Sequence, residues 1–144
     1  MRISGLLNEK GSFVATIGPE ATVAEVVAGL AEHGVGALVV TGDGVTIEGI
    51  ISERDIARAL HRYGTTVLER PVSDVMTAEV RTCGPSDTVD ELMALMTALR
   101  IRHVPVVVEG RLAGIVSIGD VVKYRVHELE HDNSALVEYI QTGR

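Results

Sequence analysis

A stretch of seven residues occurs twice in this chain, as Gly49-Ile50-Ile51-Ser52-Glu53-Arg54-Asp55 and as Gly114-Ile115-Val116-Ser117-Ile118-Gly119-Asp120. The surroundings are doubled as well. Val14-Ala15-Thr16-Ile17-Gly18-Pro19 returns as Val80-Arg81-Thr82-Cys83-Gly84-Pro85, and Thr22-Val23-Ala24-Glu25 returns as Thr88-Val89-Asp90-Glu91. The spacing shortens by one residue at Gly114, because the loop Thr41-Gly42-Asp43-Gly44-Val45 is longer than its counterpart around Glu109-Gly110-Arg111. A loop is where such a length change is best tolerated. A duplicated unit of roughly 60 residues is too small to cover its own sheet, so two copies must share a core.

Each unit predicts strand, helix, strand, strand, helix. The first strand, near Val14 to Ile17, is stopped by Gly-Pro. Thr22 and Glu25 form a capping box, and Val23, Val26, Val27, Leu30 and Ala31 then follow in steps of three and four, one face of a helix. The second unit repeats this with Thr88, Glu91 and Val89, Leu92, Met93, Met96, Leu99, so Met93 and Met96 are core filler. Ala37 to Val40 and His103 to Val108 are near-continuous apolar runs, the mark of strands covered on both faces. Strands at Ile47–Ile51 and Leu112–Val116 come next, and a helix from Glu53 to Tyr63 ends at Gly64. Residues 1–71 form the first repeat with its lead-in from Ile3 to Ser12. Residues 72–128 form the second, whose lead-in carries Val72-Ser73-Asp74-Val75-Met76-Thr77, and residues 129–144 form a helical extension. The fold class is α/β (α+β by some schemes), with two β-α-β-β-α repeats face to face about a pseudo-twofold axis. Two clefts between them are each rimmed by one Ser-x-x-Asp helix start.

A strand that hands over to a helix N-terminus concentrates free N–H groups and the positive end of the helix dipole, which favours an anion. An Asp in the first turn can accept hydrogen bonds from ribose hydroxyls. Ser-x-x-Asp is also close to a plain capping box, and a single copy is read that way; the doubling moves the reading toward a site.

Composition excludes several classes. A net charge of −7 without a basic block argues against nucleic acid or an anionic membrane surface. No apolar run reaches the roughly 18 residues of a membrane span, and the first seven residues are too short for a signal peptide. One cysteine, Cys83, cannot form an internal disulfide and sits in an apolar strand-like run, as a small buried hydrophobe in a reducing cytoplasm. No nucleophile with a base, paired carboxylates or metal cage is visible. Gly34-Val35-Gly36 is a turn. His127 and His131 lack a third metal ligand and read as a solvated helix face.

The twin Gly-h-h-Ser-x-x-Asp stretches (h, hydrophobic), Asp74-Val75-Met76-Thr77 and Arg102-His103-Val104-Pro105-Val106 together resemble the tandem cystathionine-β-synthase (CBS) domain pair, or Bateman module, in its small stand-alone form. The resemblance runs from about Leu6 to Tyr124. It implies no catalysis and no catalytic cofactor, but a regulatory ligand containing adenosine: AMP, ADP, ATP, NAD(H) or S-adenosylmethionine, sensed as energy or redox state. It implies that Asp55 and Asp120 take ribose hydroxyls, with Ser52 and Ser117 beside them. Adenine lies between strands, against aliphatic side chains, the cleft positions being Thr16, Ile17, Val75, Met76, Thr77, Ala78, Val104 and Pro105. Asp55 then faces Val75 to Ala78, and Asp120 faces Lys10, Gly11, Ser12 and Thr16. Countercharge for phosphate falls to Lys10, Arg54, Arg102 and His103, with Gly11 and Ser12 beside them. Arg54 read alone is equally a solvated helix residue, and His103 equally a hydrogen-bonded, half-buried imidazole. Gly119 stands where the first copy has Arg54, so the two clefts are unequal and phosphate is held better in one.

The last helix continues beyond the repeat. Val122, Val126, Leu129, Asn133, Leu136 and Ile140 alternate steps of four and three, a short heptad seam with one polar position. The alternatives are packing on the parent repeat, with a break at Asp132-Asn133-Ser134, or self-association. A homodimer is expected, and an unidentified protein partner, or the dimer itself, is expected to read the shift that a ligand makes. The rival reading of the whole chain is a scaffold that dimerises without a ligand.

Overall fold

The computed structural model describes residues 1–142. Its elements run α1 (Ile3–Lys10), β1 (Thr16–Ile17), α2 (Val23–His33), β2 (Ala37–Val40), β3 (Gly49–Ser52), α3 (Glu53–Tyr63), two 3₁₀ turns (Gly64–Glu69 and Val72–Asp74), α4 (Val89–Leu99), β4 (His103–Val108), β5 (Arg111–Ser117) and α5 (Ile118–Thr142). The fold is mixed α/β, with two small sheets. One is ordered β1-β2-β3, with β1 parallel and β3 antiparallel to β2; the other is the antiparallel pair β4-β5.

The helix starts follow the local chemistry. Thr22 Oγ1 accepts from the Glu25 N–H at 3.2 Å, and Thr88 Oγ1 from the Glu91 N–H at 3.1 Å. Each cap contributes about 1 kcal/mol. The buried faces of α2 and α4 are Val23, Val26, Leu30 and Val89, Leu92, Met96. The two copies also match at β-to-α junctions, where Gly36 C=O accepts from the Glu53 N–H at 3.0 Å and Arg102 C=O from the Ile118 N–H at 2.8 Å.

The copies differ in three places. The second unit's opening strand shrinks to a single parallel bridge between Cys83 and Val106. In the first unit the Val39 N–H donates to Ala15 C=O at 3.1 Å; the counterpart of Val39 is Pro105, which has no N–H to give Arg81. Arg81 therefore leaves the ladder. The lead-in Ile3–Ser12, for which the sequence pattern names no element, forms helix α1 over most of its length. The longer loop at 41–45 is held by Asp43, whose carboxylate accepts from the Val45 and Thr46 N–H groups at 2.9 and 2.7 Å. Those bonds keep its pKa far below the usual carboxylate range.

Two apolar clusters make the interior. The first joins Val23, Val26, Leu38, Val40 and Ile51 to Val67 and Val72; the second joins Val89, Leu92, Met96, Val104, Val106 and Val116 to Ile3 and Leu6. Each cluster thus takes in residues from the segment that leads into the other repeat. Fully burying Ile3 or Val72 contributes about 1.5–3 kcal/mol. Helix α5 crosses Asp132-Asn133-Ser134 without a break.

Candidate functional site

Strand β3 delivers Ser52 into the first turn of α3, and the turn closes on itself. Ser52 Oγ accepts from the Asp55 N–H at 3.3 Å, while Asp55 Oδ2 accepts from the Ser52 N–H at 2.9 Å and from its hydroxyl at 3.0 Å. Ser117 and Asp120 repeat this, with the Asp120 N–H donating to Ser117 Oγ at 3.1 Å and the Ser117 N–H to Asp120 Oδ2 at 2.8 Å. Both carboxylates are therefore fixed at a helix N-terminus, where the dipole favours negative charge. The segment that leads into the second unit lies against the first. Ile50 and Thr77 exchange backbone hydrogen bonds of 2.9 Å each, and the Thr77 hydroxyl donates to Asp55 Oδ1 at 3.3 Å. Gly49 is required there, since a Cβ would fall 2.5 Å from Met76 Sδ and 2.9 Å from Thr77 C=O.

Beside Asp55 opens a cleft of about 600 Å³ between the two repeats, within the usual range of small-molecule sites. Ser52, Asp55 and Thr77 line it together with His103, Ser117 and Gly119. Five arginines line it: Arg54 and Arg58 on α3, Arg81 in the freed lead-in, and Arg100 and Arg102 before β4. The Arg54 guanidinium donates to Arg100 C=O at 2.8 Å, a tie across the two halves. Arg100 closes α4 in the left-handed conformation at φ 55°, where α2 uses Gly34 at φ 64°. A side chain in that conformation costs about 1 kcal/mol or more. Arg58, Arg81 and Arg100 escape sequence reading, although Arg58 lies one helical turn beyond Arg54, on the same face.

Asp120 has a different neighbour. The Lys10 ammonium at the end of α1 lies 2.5 Å from Asp120 Oδ2 and donates to Ile115 C=O at 2.7 Å. Leu7 fills the space over Gly114, where a Cβ would meet its Cδ2 at 2.9 Å. What remains beside Asp120 is about 80 Å³. Burial raises the Asp120 pKa, but hydrogen bonds from Lys10 and from the Ser117 N–H and the Lys10 charge prevail and hold it below its ordinary value. His103, against Gly36 and near Glu53, has its pKa lowered chiefly by burial, although Glu53 and Asp120 oppose the shift.

Other sequence candidates lie apart. Val104 is fully buried in the second core, Pro105 is buried in β4, and Val75 and Met76 pack on the first core. Thr16 and Ile17 are tied up in β1, and Gly11, Ser12 and Ala78 are exposed; none of these nine lines either cavity. Cys83 is buried, which pushes its thiol up to about 11. Among the described residues, no group of three or more His, Cys, Asp or Glu is placed to hold a metal ion, and no helix is long and apolar enough to cross a membrane.

The CBS-domain family model matches residues 12–62 and 72–127. A mitochondrial CBS domain-containing protein of Arabidopsis thaliana is 42% identical over 126 residues, which is 85% of this chain and 61% of that protein. Among solved structures, a CBS-domain containing protein of Agrobacterium tumefaciens is 45% identical, with a TM-score of 0.84 over 87% of this chain and 99% of that one. A CBS domain protein of Pyrobaculum aerophilum, solved in complex with AMP, is 31% identical, with a TM-score of 0.73 over 83% of this chain and 89% of that one. With both repeats matched and the fold shared, this chain belongs to the CBS-domain family and carries its domains as a tandem pair.

Proposed function

We propose that this chain is a non-catalytic regulatory module that binds one adenosine nucleotide per chain, in the cleft beside Asp55. The observation that carries the reading is the cleft itself: a fixed ribose-type carboxylate in a cavity of about 600 Å³ with five arginines around it. Guanidinium groups are the natural partners of phosphate, which they can hold in a bidentate fork. The related Pyrobaculum protein was solved with AMP, and AMP, ADP, ATP and NAD(H) all bring phosphate to such a cleft. S-adenosylmethionine brings a sulfonium, an ammonium and a single carboxylate, a net positive charge that a wall of arginines disfavours. The Asp120 site is filled from within by Lys10. By this reading the ligand biases how the two repeats pack, through its difference in affinity for two arrangements. A lone buried thiol suits a reducing compartment such as the cytoplasm.

Calorimetry with AMP, ATP, NADH, adenosine and S-adenosylmethionine tests this on the wild-type chain. The expected result is binding of phosphate-bearing ligands at one per chain, with adenosine weaker and S-adenosylmethionine weaker still. Silence from all five would leave the scaffold reading, which the exposed apolar face of α5 favours.

A further inference from the structure

Helix α5 has two unlike parts. Near its start, Val121 is buried and Ile118 and Tyr124 pack on the second core. From Leu129 to Thr142 every residue is exposed. An isolated helical segment of that length is marginal in water unless its apolar face is covered.

Most of the uncovered apolar side chains form one row. Val122, Val126, Leu129, Leu136 and Ile140 are 46–69% exposed, exposed Asn133 completes the row, and exposed Val137 and Tyr139 flank it near the C-terminal end. The alternating steps assign Val126, Asn133 and Ile140 to the a positions of a heptad, and Val122, Leu129 and Leu136 to the d positions. β-branched residues at a with Leu at d favour two parallel strands, and one Asn at a fixes register and strand number. The flanking charges agree. Arg125 falls at g and Glu130 at the following e, the pair that meets between parallel helices in register. Arg125 is exposed and, among the described residues, pairs with Glu128 of its own helix, at 2.7 Å, and loosely with Asp90, at 3.8 Å.

We propose that α5 pairs with the α5 of a second copy of this chain as a parallel, in-register, two-stranded coiled coil, with Asn133 facing Asn133 across the axis. The seam from Val122 to Ile140 is about 27 Å long. The two CBS pairs then lie on the same side, at the N-terminal end of a shared stalk.

Sedimentation of the full chain at tens of micromolar, with site-directed oxidation, tests this. A dimer is expected, and a Leu129→Asp, Leu136→Asp double variant is expected to sediment as a monomer with an unchanged core melting transition. Ile140→Cys should form a disulfide with its own copy on mild oxidation, because parallel helices bring the two positions together. A wild-type monomer, a double variant that stays dimeric, or Ile140→Cys chains that cross-link only when Val122→Cys is also present would each overturn the proposal. Asn133→Leu should relax strand number, so that trimers or tetramers join the dimer; a strictly dimeric variant would also count against it.

Discussion

Lys10 gives Asp120 what Thr77 gives Asp55. Thr77 offers the Ile50 carbonyl a backbone N–H at 2.9 Å and Asp55 a hydroxyl at 3.3 Å. In the other repeat one ammonium does both, at 2.7 Å to Ile115 C=O and 2.5 Å to Asp120. The two halves thus share a backbone plan and differ in what closes it.

Removing the ammonium should therefore change how many ligands bind. Lys10→Ala is expected to raise the nucleotide stoichiometry measured by calorimetry from one toward two per chain. An unchanged value of one would show that Leu7 over Gly114, and not Lys10, closes that site.

At Asp55 the substitution must spare the helix cap. Asp55→Asn keeps an acceptor for the Ser52 N–H, so the melting temperature should move little, whereas Asp55→Ala loses a cap of about 1 kcal/mol as well. Both are expected to weaken nucleotide binding about 10- to 100-fold, the range for a lost hydrogen bond to a charged group.

Arg100 separates stability from binding. Arg100→Gly relieves a left-handed residue and should raise stability by about 1 kcal/mol, read in a denaturant titration. The same change should weaken ATP more than adenosine, since only ATP feels the missing guanidinium.

Gly49 and Gly114 are equivalent by sequence but not by surroundings. Gly49→Ala drives a methyl against Thr77 backbone as well as Met76 and is expected to cost about 1–3 kcal/mol. Gly114→Ala meets only the Leu7 side chain, which can turn aside, and should cost less.

Acid should destabilise the fold in two steps of the same sign. Burial keeps the folded His103 pKa below its ordinary 6.5, so the unfolded chain takes up that proton first and stability falls as pH drops through and below 6.5. Asp120, also lowered, contributes stability above its ordinary 3.8 that is lost on further acidification through its folded pKa. Melting temperatures followed on the acid side should show His103→Gln flatter than wild type around the first step.

The helices were largely legible in the sequence, because caps and apolar spacing are local: Thr22, Thr88 and the Glu53–Tyr63 helix with its Gly64 stop lie where those signals put them. The missing second-unit strand was legible in principle, since Pro105 stands where Val39 donates. The cleft was harder. Arg81 and Arg100 reach it only because a ladder fails and a helix ends left-handed, and neither event has a periodic signature. The helical form of Ile3–Lys10 was equally hidden, because its packing partners lie some 80 to 115 residues further along the chain, around Val89 and Gly114.

The exchange of lead-in segments has a further consequence. Ile3 and Leu6 complete the second interior, and Val72 completes the first. Cutting the polypeptide between its repeats would leave two fragments, each lacking a plug that the other carries. The duplication is thus visible as two domains in the primary structure, yet the traded plugs tie the two interiors together, and the halves are expected to melt as one cooperative body.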